Sequence, residues 1–180
     1  MSGPADRPGW TAPPAPERVE PAGTADERAL LAAYLDHHRA TFARKVAGLS
    51  AEQLRRRAVE PSSLSLLGLA RHLAEVERSW WRRRVDGQDV APLTYDEGNP
   101  DGDFDDVGSA DAAADLAWLA QEQHLAREVL ARHSLDDVFE HAGQGTLSVR
   151  WVLVHLVEEY ARHNGHADLL RERVDGEVGE

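Results

Sequence analysis

Residues 152–172, VLVHLVEEYARHNGHADLLRE, are the stretch of sequence that decides the fold. Within it, one row of positions recurs at steps of three and four residues: Val152, His155, Glu159, His163, His166 and Leu170. Such spacing is typical of the face of an α-helix that packs against other helices. At about 100° per residue, the four ionisable members fall within an arc of about 80°. The face expected to point inward is therefore apolar at both ends and ionisable in the middle.

Ionisable groups on a buried face need compensation, because burying several of them without partners is costly. A divalent metal ion compensates them economically. Glu159 and His163 are four residues apart, so they lie one above the other on a helix and both can face one ion. A third ligand must come from elsewhere, and His72 is the candidate because it lies beside an apolar stripe in another helical segment.

Two imidazoles and one carboxylate that leave coordination positions open are typical of catalytic metal sites. Nitrogen and oxygen ligands without sulfur suit Zn, Ni, Fe or Mn, and the sequence does not choose among them. Simpler interpretations exist for each residue. His72 alone is compatible with a hydrogen-bonded core histidine, and Glu159 alone with a surface partner of Arg162. The joint pattern favours the metal site.

The rest of the chain supplies three more long amphipathic segments and no convincing strand pattern. Apolar spacing predicts four long helices, over residues 26–48, 65–84, 109–133 and 148–174. Ser50, Ser65, Ser109 and Ser148 are candidate N-caps, and Arg71 is expected on a solvated face of the second helix. The predicted fold class is all-α, a four-helix bundle with a long connection between helices 2 and 3.

That connection, residues 86–115, is strongly acidic. It contains ten Asp or Glu residues and no Lys or Arg. Asp101, Asp103 and Asp105 resemble a calcium-binding loop only superficially, because the glycine and terminal glutamate of such a loop are missing. A solvated crossover loop is the expectation.

The N-terminal segment differs from the rest in composition. Six of the 9 prolines fall within the first 21 residues. Since proline fixes φ and removes a hydrogen-bond donor, residues 1–25 are predicted to form a flexible arm, and residues 26–175 the folded domain. Trp10 offers one alternative, because its ring can pin part of the arm to the domain.

Composition excludes several function classes. The chain has 32 Asp and Glu against 20 Lys and Arg, a net charge of -12, which argues against nucleic acid or anionic membrane as partner. No apolar run reaches the roughly 20 residues of a membrane span, and the N-terminus lacks the apolar stretch of a signal peptide. The chain has no cysteine, so disulfides, thiolate ligands and cysteine nucleophiles are excluded. A cytoplasmic location is expected.

Three blocks of the sequence resemble the DinB superfamily, and its actinobacterial mycothiol-transferase-like branch in particular. They are LLAAYLDHHRATFARKVAGLSAEQL (30–54), SLLGLARHLAEVERSWW (65–81) and LSVRWVLVHLVEEYARHNGHADLLRE (147–172). The resemblance covers about residues 27–173. It implies a four-helix bundle whose second and fourth helices hold a metal ion, commonly zinc or nickel, in a protein that often forms homodimers.

The resemblance also implies roles for individual residues. The family's metal ligands match His72, Glu159 and His163; many members have histidine where Glu159 stands, whereas the mycothiol-dependent isomerase branch has glutamate. His166 matches a further polar position near the metal, and His155 is a reserve ligand in a shifted register. Several members conjugate or isomerise small molecules using a low-molecular-weight thiol.

The leading hypothesis is a metal-dependent S-transferase that joins a thiol such as mycothiol to a small electrophile. Metal binding lowers the pKa of a thiol, and His166 is the candidate acid/base. The absence of cysteine is consistent with a sulfur nucleophile that arrives with a cosubstrate. The alternatives are a metal-dependent hydrolase and a non-catalytic metal-binding module whose acidic loop contacts a partner.

Overall fold

The computed structural model describes residues 9–179 of the chain, and they form a mainly α-helical protein. The helices are α1 (Glu27–Val46), α2 (Ala51–Arg55), α3 (Leu66–Glu77), α4 (Gly102–Asp105), α5 (Ala112–Arg132) and α6 (Val149–Asp175). A π-helical segment, Arg78–Val85, continues α3, and a 3-10 turn, Asp106–Gly108, follows α4. Two antiparallel strands, β1 (Val138–His141) and β2 (Gly145–Ser148), form a hairpin before α6. No helix among the described residues is long and apolar enough to cross a membrane.

Side-chain caps fix most helix starts where the sequence predicted them. Ser50 forms a capping box with Gln53, and the hydroxyls of Ser65 and Ser148 accept hydrogen bonds from backbone amides in the first turns of α3 and α6. The prediction that Ser109 caps the third long helix was wrong. α5 begins at Ala112, and the Asp111 carboxylate caps it by accepting from the amides of Ala113 and Ala114, whereas the hydroxyl of Ser109 donates to the carbonyl of Asp106.

The core lies between the four long helices. α1 packs against α6, and α3 packs against both α5 and α6. The largest fully buried side chains include Phe42, Leu69, Leu73, Trp81, Leu156 and Tyr160. These contacts set α3 beside α6, and the candidate ligands lie on those two helices.

A buried polar network connects the long helices. Glu77 of α3 accepts hydrogen bonds of 2.8 and 2.7 Å from Arg39 of α1. The hydroxyl of Tyr160 on α6 donates to Glu77 over 2.9 Å, and Gln123 of α5 donates to that hydroxyl over 2.9 Å. Each long helix therefore contributes one member, and the buried charges of Arg39 and Glu77 compensate each other.

The expectation that no segment forms a strand was wrong. β1 and β2 pair from Val138 with Ser148 to His141 with Gly145. Each strand has only four residues, too few for an alternating pattern to be recognised in the sequence. Gly145 has a φ of 74°, a left-handed conformation that glycine adopts readily at such a turn. The described residues are therefore mainly α-helical, with one small two-stranded sheet.

Two predictions of solvent exposure were also wrong. Arg71 is 7% exposed and pairs with Asp115. The acidic connection is not solvated throughout, because Thr94, Asp103 and Val107 are buried against the helices. In both cases a charged side chain is buried because it has hydrogen-bonding or ionic partners inside the protein. Sequence polarity alone predicts such a side chain to be exposed.

The proline-rich segment contacts the end of α1. The amide of Ala12 donates to the carbonyl of Leu49 over 2.8 Å, and the amide of Gly48 donates to the carbonyl of Ala12 over 3.1 Å. Trp10 packs partly buried against the core. Pro4 and Pro8 lie outside the described residues. Flexibility of residues 1–25 stays a prediction.

Candidate metal centre

Two helices position the predicted ligands. His72 lies in the middle of α3, and Glu159 and His163 lie one turn apart on α6. The cap at Ser148 starts α6, which then runs for 27 residues and carries both side chains on the face toward α3. The 3.6-residue period places the two residues on one face, as the sequence predicted.

The three side chains converge on a single carboxylate oxygen. Oε1 of Glu159 lies 3.2 Å from Nε2 of His72 and 3.3 Å from Nε2 of His163. One ligand atom from each residue lies within 4.8 Å of the other two. The side chains are 25% (His72), 13% (Glu159) and 11% (His163) exposed, so the group is shielded but reachable from solvent.

Electrostatics favour the charged forms of Glu159 and His72. Hydrogen bonds from His163 and His72 hold the pKa of Glu159 well below its ordinary value. Burial alone lowers the pKa of His72, but hydrogen bonds to Asp103 and Glu159 outweigh it and raise that pKa to about 9. These contacts favour the doubly protonated ring of His72, and a cation bound at Nε2 would replace the proton there.

Asp103 is a site residue that the sequence did not reveal. Its Oδ2 lies 2.9 Å from Nδ1 of His72, and the ring of Phe104 stacks on the His72 ring with centroids 5.3 Å apart. A carboxylate on the distal nitrogen fixes the ring orientation and tautomer of a metal-binding histidine. Nothing in the sequence distinguishes Asp103 from the other carboxylates of the acidic connection, so no pattern could have identified it.

His166 lies beside the group without entering it. Its Nδ1 is 3.3 Å from Nδ1 of His163, on the side of that ring away from Glu159. Burial, followed by the charges of His163 and Arg162, lowers the pKa of His166. His166 is therefore neutral more readily than an ordinary histidine and is able to accept a proton.

The reserve candidate His155 lies outside the cluster. Its ring stacks on Trp151, with centroids 4.9 Å apart and 17° between the planes, and meets the edge of Trp80 at 4.9 Å. Trp80 belongs to the π-helical segment, so this turn of α6 faces that segment rather than His72. Of the four ionisable residues in the row, Glu159 and His163 belong to the cluster and His166 contacts His163, whereas His155 lies apart from them.

A cavity of about 360 Å³ opens beside His72. Its lining includes the aromatic residues Trp80, Tyr95 and Phe104 and also Asp103, whose carboxylate contacts His72. Another cavity, of about 380 Å³, lies between α1, α5 and residues 13–17 and does not include the clustered side chains. The cavity beside His72 is therefore the candidate substrate pocket.

The donor set fits a divalent ion. With ligand bonds of 2.0–2.2 Å, two ligand atoms of a tetrahedral zinc site lie about 3.4 Å apart. The separations of Glu159 Oε1 from the two imidazole nitrogens are close to that value. Two imidazoles and one carboxylate suit zinc and nickel and leave coordination positions open.

The fold and the cluster define a class, a mainly helical protein with a candidate metal centre between two helices. The family model described as mycothiol-S-transferase matches residues 30–176, and the chain belongs to that family. The match confirms the predicted membership of the DinB-like superfamily. A comparison with curated proteins found no match.

Proposed function

We propose that the chain is a divalent-metal-dependent S-transferase that joins a thiol of the mycothiol type to a small electrophile. The single observation that carries the proposal is the convergence of His72, Glu159 and His163 to within 4.8 Å of one another beside an open cavity. The family to which the chain belongs supports transferase chemistry and a thiol substrate.

His72, Glu159 and His163 would hold the ion, with zinc or nickel the preferred metals for these ligands. When bound, the ion supplies positive charge that lowers the pKa of a nearby thiol and so favours the thiolate at neutral pH. Asp103 holds the ring of His72 through Nδ1, and burial of Glu159 and His163 limits competition from water.

The sulfur must come from the cosubstrate, because the chain has no cysteine. As the thiolate sulfur attacks, a carbon–sulfur bond forms and the electron pair moves to the leaving group or the conjugated system of the electrophile. The ring of His166, which its lowered pKa keeps neutral, takes the proton of the thiol and then gives it to the leaving group or to the carbanion of the opened conjugated system. The cavity beside His72 orients the electrophile against aromatic rings.

The test is thiol consumption by the zinc- or nickel-loaded protein, with mycothiol and a set of reactive electrophiles such as an epoxide and an activated alkene. We expect metal-dependent thiol loss and a thioether product in the wild type, and neither in His163→Ala. His124→Ala is the matched control, because that histidine side chain is 70% exposed on α5. Thiol-independent ester or amide cleavage would instead indicate a hydrolase. No turnover by a metal-saturated protein would indicate a non-catalytic module.

We also propose that α1, α3, α5 and α6 make a four-helix bundle, supported by the packing of α1 on α6 and of α3 on α5 and α6. A homodimer and a cytoplasmic location are further proposals, supported by the resemblance and by the cysteine-free, acidic composition. Sedimentation analysis across a concentration series tests the dimer, and cell fractionation tests the location.

A further inference from the structure

Arg71 is a buried cation directly before the candidate ligand His72, and its guanidinium faces the acidic connection. It donates from Nε to the carbonyl of Asp103 and from Nη2 to the carbonyl of Gly102, each over 3.0 Å. Nη1 donates to the two carboxylate oxygens of Asp115 on α5, over 3.2 and 3.1 Å. All three nitrogens of the guanidinium are thus engaged.

Glu75, one turn beyond His72 on α3, holds the same connection at a second point. Its carboxylate accepts hydrogen bonds from the amides of Leu93 and Thr94 and from the hydroxyl of Thr94. Glu75 is 5% exposed. The connection is therefore fixed to α3 on both sides of His72.

The two attachment points also contact each other. A Cβ atom added to Gly102 would lie 2.3 Å from the carbonyl oxygen of Thr94, closer than any real contact permits. The backbone held by Arg71 thus fits directly against the backbone held by Glu75. A small displacement of either would move the whole segment that carries Asp103.

We propose that Arg71 is a positioning residue for the metal centre. By holding the carbonyls of Gly102 and Asp103, it keeps the Asp103 carboxylate on Nδ1 of His72 and so orients Nε2 toward Glu159. The role rests on the proposed function, because it matters for catalysis only if His72 binds metal. Residues that orient a metal-binding histidine typically change metal affinity about 10–100-fold when they are replaced.

Lysine cannot replace Arg71 in this role. The guanidinium reaches two carbonyls and one carboxylate in fixed directions, whereas an ammonium group at the end of a flexible stem supplies a charge without that geometry. Arg71→Lys therefore retains the charge opposite Asp115 and removes the fixed hydrogen bonds to the connection.

The first experiment is a double-mutant cycle on zinc affinity, measured by competition with a chromogenic chelator. We expect Arg71→Lys and Asp103→Asn each to weaken zinc binding about 10–100-fold. The double variant should bind zinc within about twofold of Asp103→Asn, because Arg71 acts through Asp103. Asp105→Asn, an exposed carboxylate of the same short helix α4, should match the wild type. The proposal would be overturned if the two losses of zinc affinity multiplied in the double variant, or if Arg71→Lys bound zinc as tightly as the wild type.

A second readout needs no metal. In the zinc-free protein, Arg71→Lys should speed hydrogen exchange of the Phe104 amide and weaken the NMR signal of the His72 Nδ1 proton. If Arg71→Lys does not fold, Gly102→Ala displaces the same stretch of backbone and leaves the Arg71 side chain unchanged. Unchanged exchange and ring signals in the folded variant would refute the role of Arg71. A different outcome is that the wild type does not bind zinc but the variant still shows altered exchange and ring signals. That result would refute the metal site and leave the positioning contact in place.

Discussion

The hydroxyl of Tyr160 donates a 2.9 Å hydrogen bond to Oε1 of Glu77, and both side chains are completely inaccessible to solvent. Tyr160 directly follows the candidate ligand Glu159 on α6. Its hydroxyl is held from α3 and from Gln123 of α5, so it fixes the rotation of α6 about its own axis. The face that carries Glu159 and His163 is thereby held toward His72.

Glu77→Gln should destabilise the fold strongly. The substitution removes the buried partner of the Arg39 guanidinium and leaves it only the half-exposed carboxylate of Asp36. Breaking a buried ion pair typically costs about 3–5 kcal/mol, and Asp36 should reduce that cost only partly. Urea unfolding at neutral pH measures the change. Tyr160→Phe removes only a neutral donor and should cost about 1 kcal/mol. Equal and small effects of the two substitutions would contradict the ion pair's role in the core.

Metal analysis of purified protein should show about one ion per chain in the wild type and little in His72→Ala or His163→Ala, because catalytic sites of this kind need three protein ligands. Inductively coupled plasma mass spectrometry after dialysis measures the content. His124→Ala, a surface histidine, should retain the wild-type amount. Undiminished metal in both ligand variants would exclude the proposed site.

Metal removal should lower thermal stability. A ligand that binds only the native state stabilises it by about 2.7 kcal/mol at 100 times its Kd. Differential scanning calorimetry with and without a chelator should therefore show a lower Tm for the chelated wild type. In His163→Ala the two Tm values should coincide. A chelator effect of equal size in that variant would place the metal elsewhere.

Asp36 should contribute stability at neutral pH that disappears in acid. Burial alone raises its pKa, but the hydrogen bond and charge of Arg127, together with Arg39, bring it below the ordinary 3.8. A carboxyl whose pKa is lower in the folded state stabilises the fold above its unfolded pKa, and that contribution is lost as the pH falls through the folded value.

The corresponding variant is Asp36→Asn. The Asp36 side chain is 46% exposed, so its ion pairs are screened by solvent. The variant should therefore be less stable than the wild type by under about 1 kcal/mol at pH 7. The difference should shrink as the pH falls below about 4 and vanish once the carboxyl is protonated in the folded protein as well. Urea unfolding at a series of pH values measures it, and a difference that grows in acid would refute the assignment.

The sequence predicted the parts of this protein that depend on local periodicity. The row on α6 placed Glu159 and His163 on one face, and the apolar stripe of α3 placed His72 on the facing helix. Serine caps marked three helix starts correctly. Each of these follows from residues within a few positions of one another, which is the range over which sequence patterns are informative.

What the sequence did not predict depends on contacts between distant residues. Asp103 meets His72 across 31 positions, and Arg39 meets Glu77 across 38. The acidic connection looked solvated because burial of a carboxylate depends on a partner that no local pattern identifies. Likewise, the ring of His155 faces the π-helical segment, and a wider helical turn there is not visible in the spacing of apolar residues.

Glu159 is the single carboxylate of the candidate metal centre, and it would set the formal charge of that centre once an ion is bound. A divalent ion held by the neutral imidazoles of His72 and His163 and by the carboxylate of Glu159 would carry a net charge of about +1, whereas a third imidazole would leave about +2. An anionic sulfur arriving at this chain's site would then neutralise it completely. Glu159→His should consequently bind added anions such as azide or thiocyanate more tightly than the wild type does, which makes residue 159 the position that tunes the attraction of the centre for charged ligands.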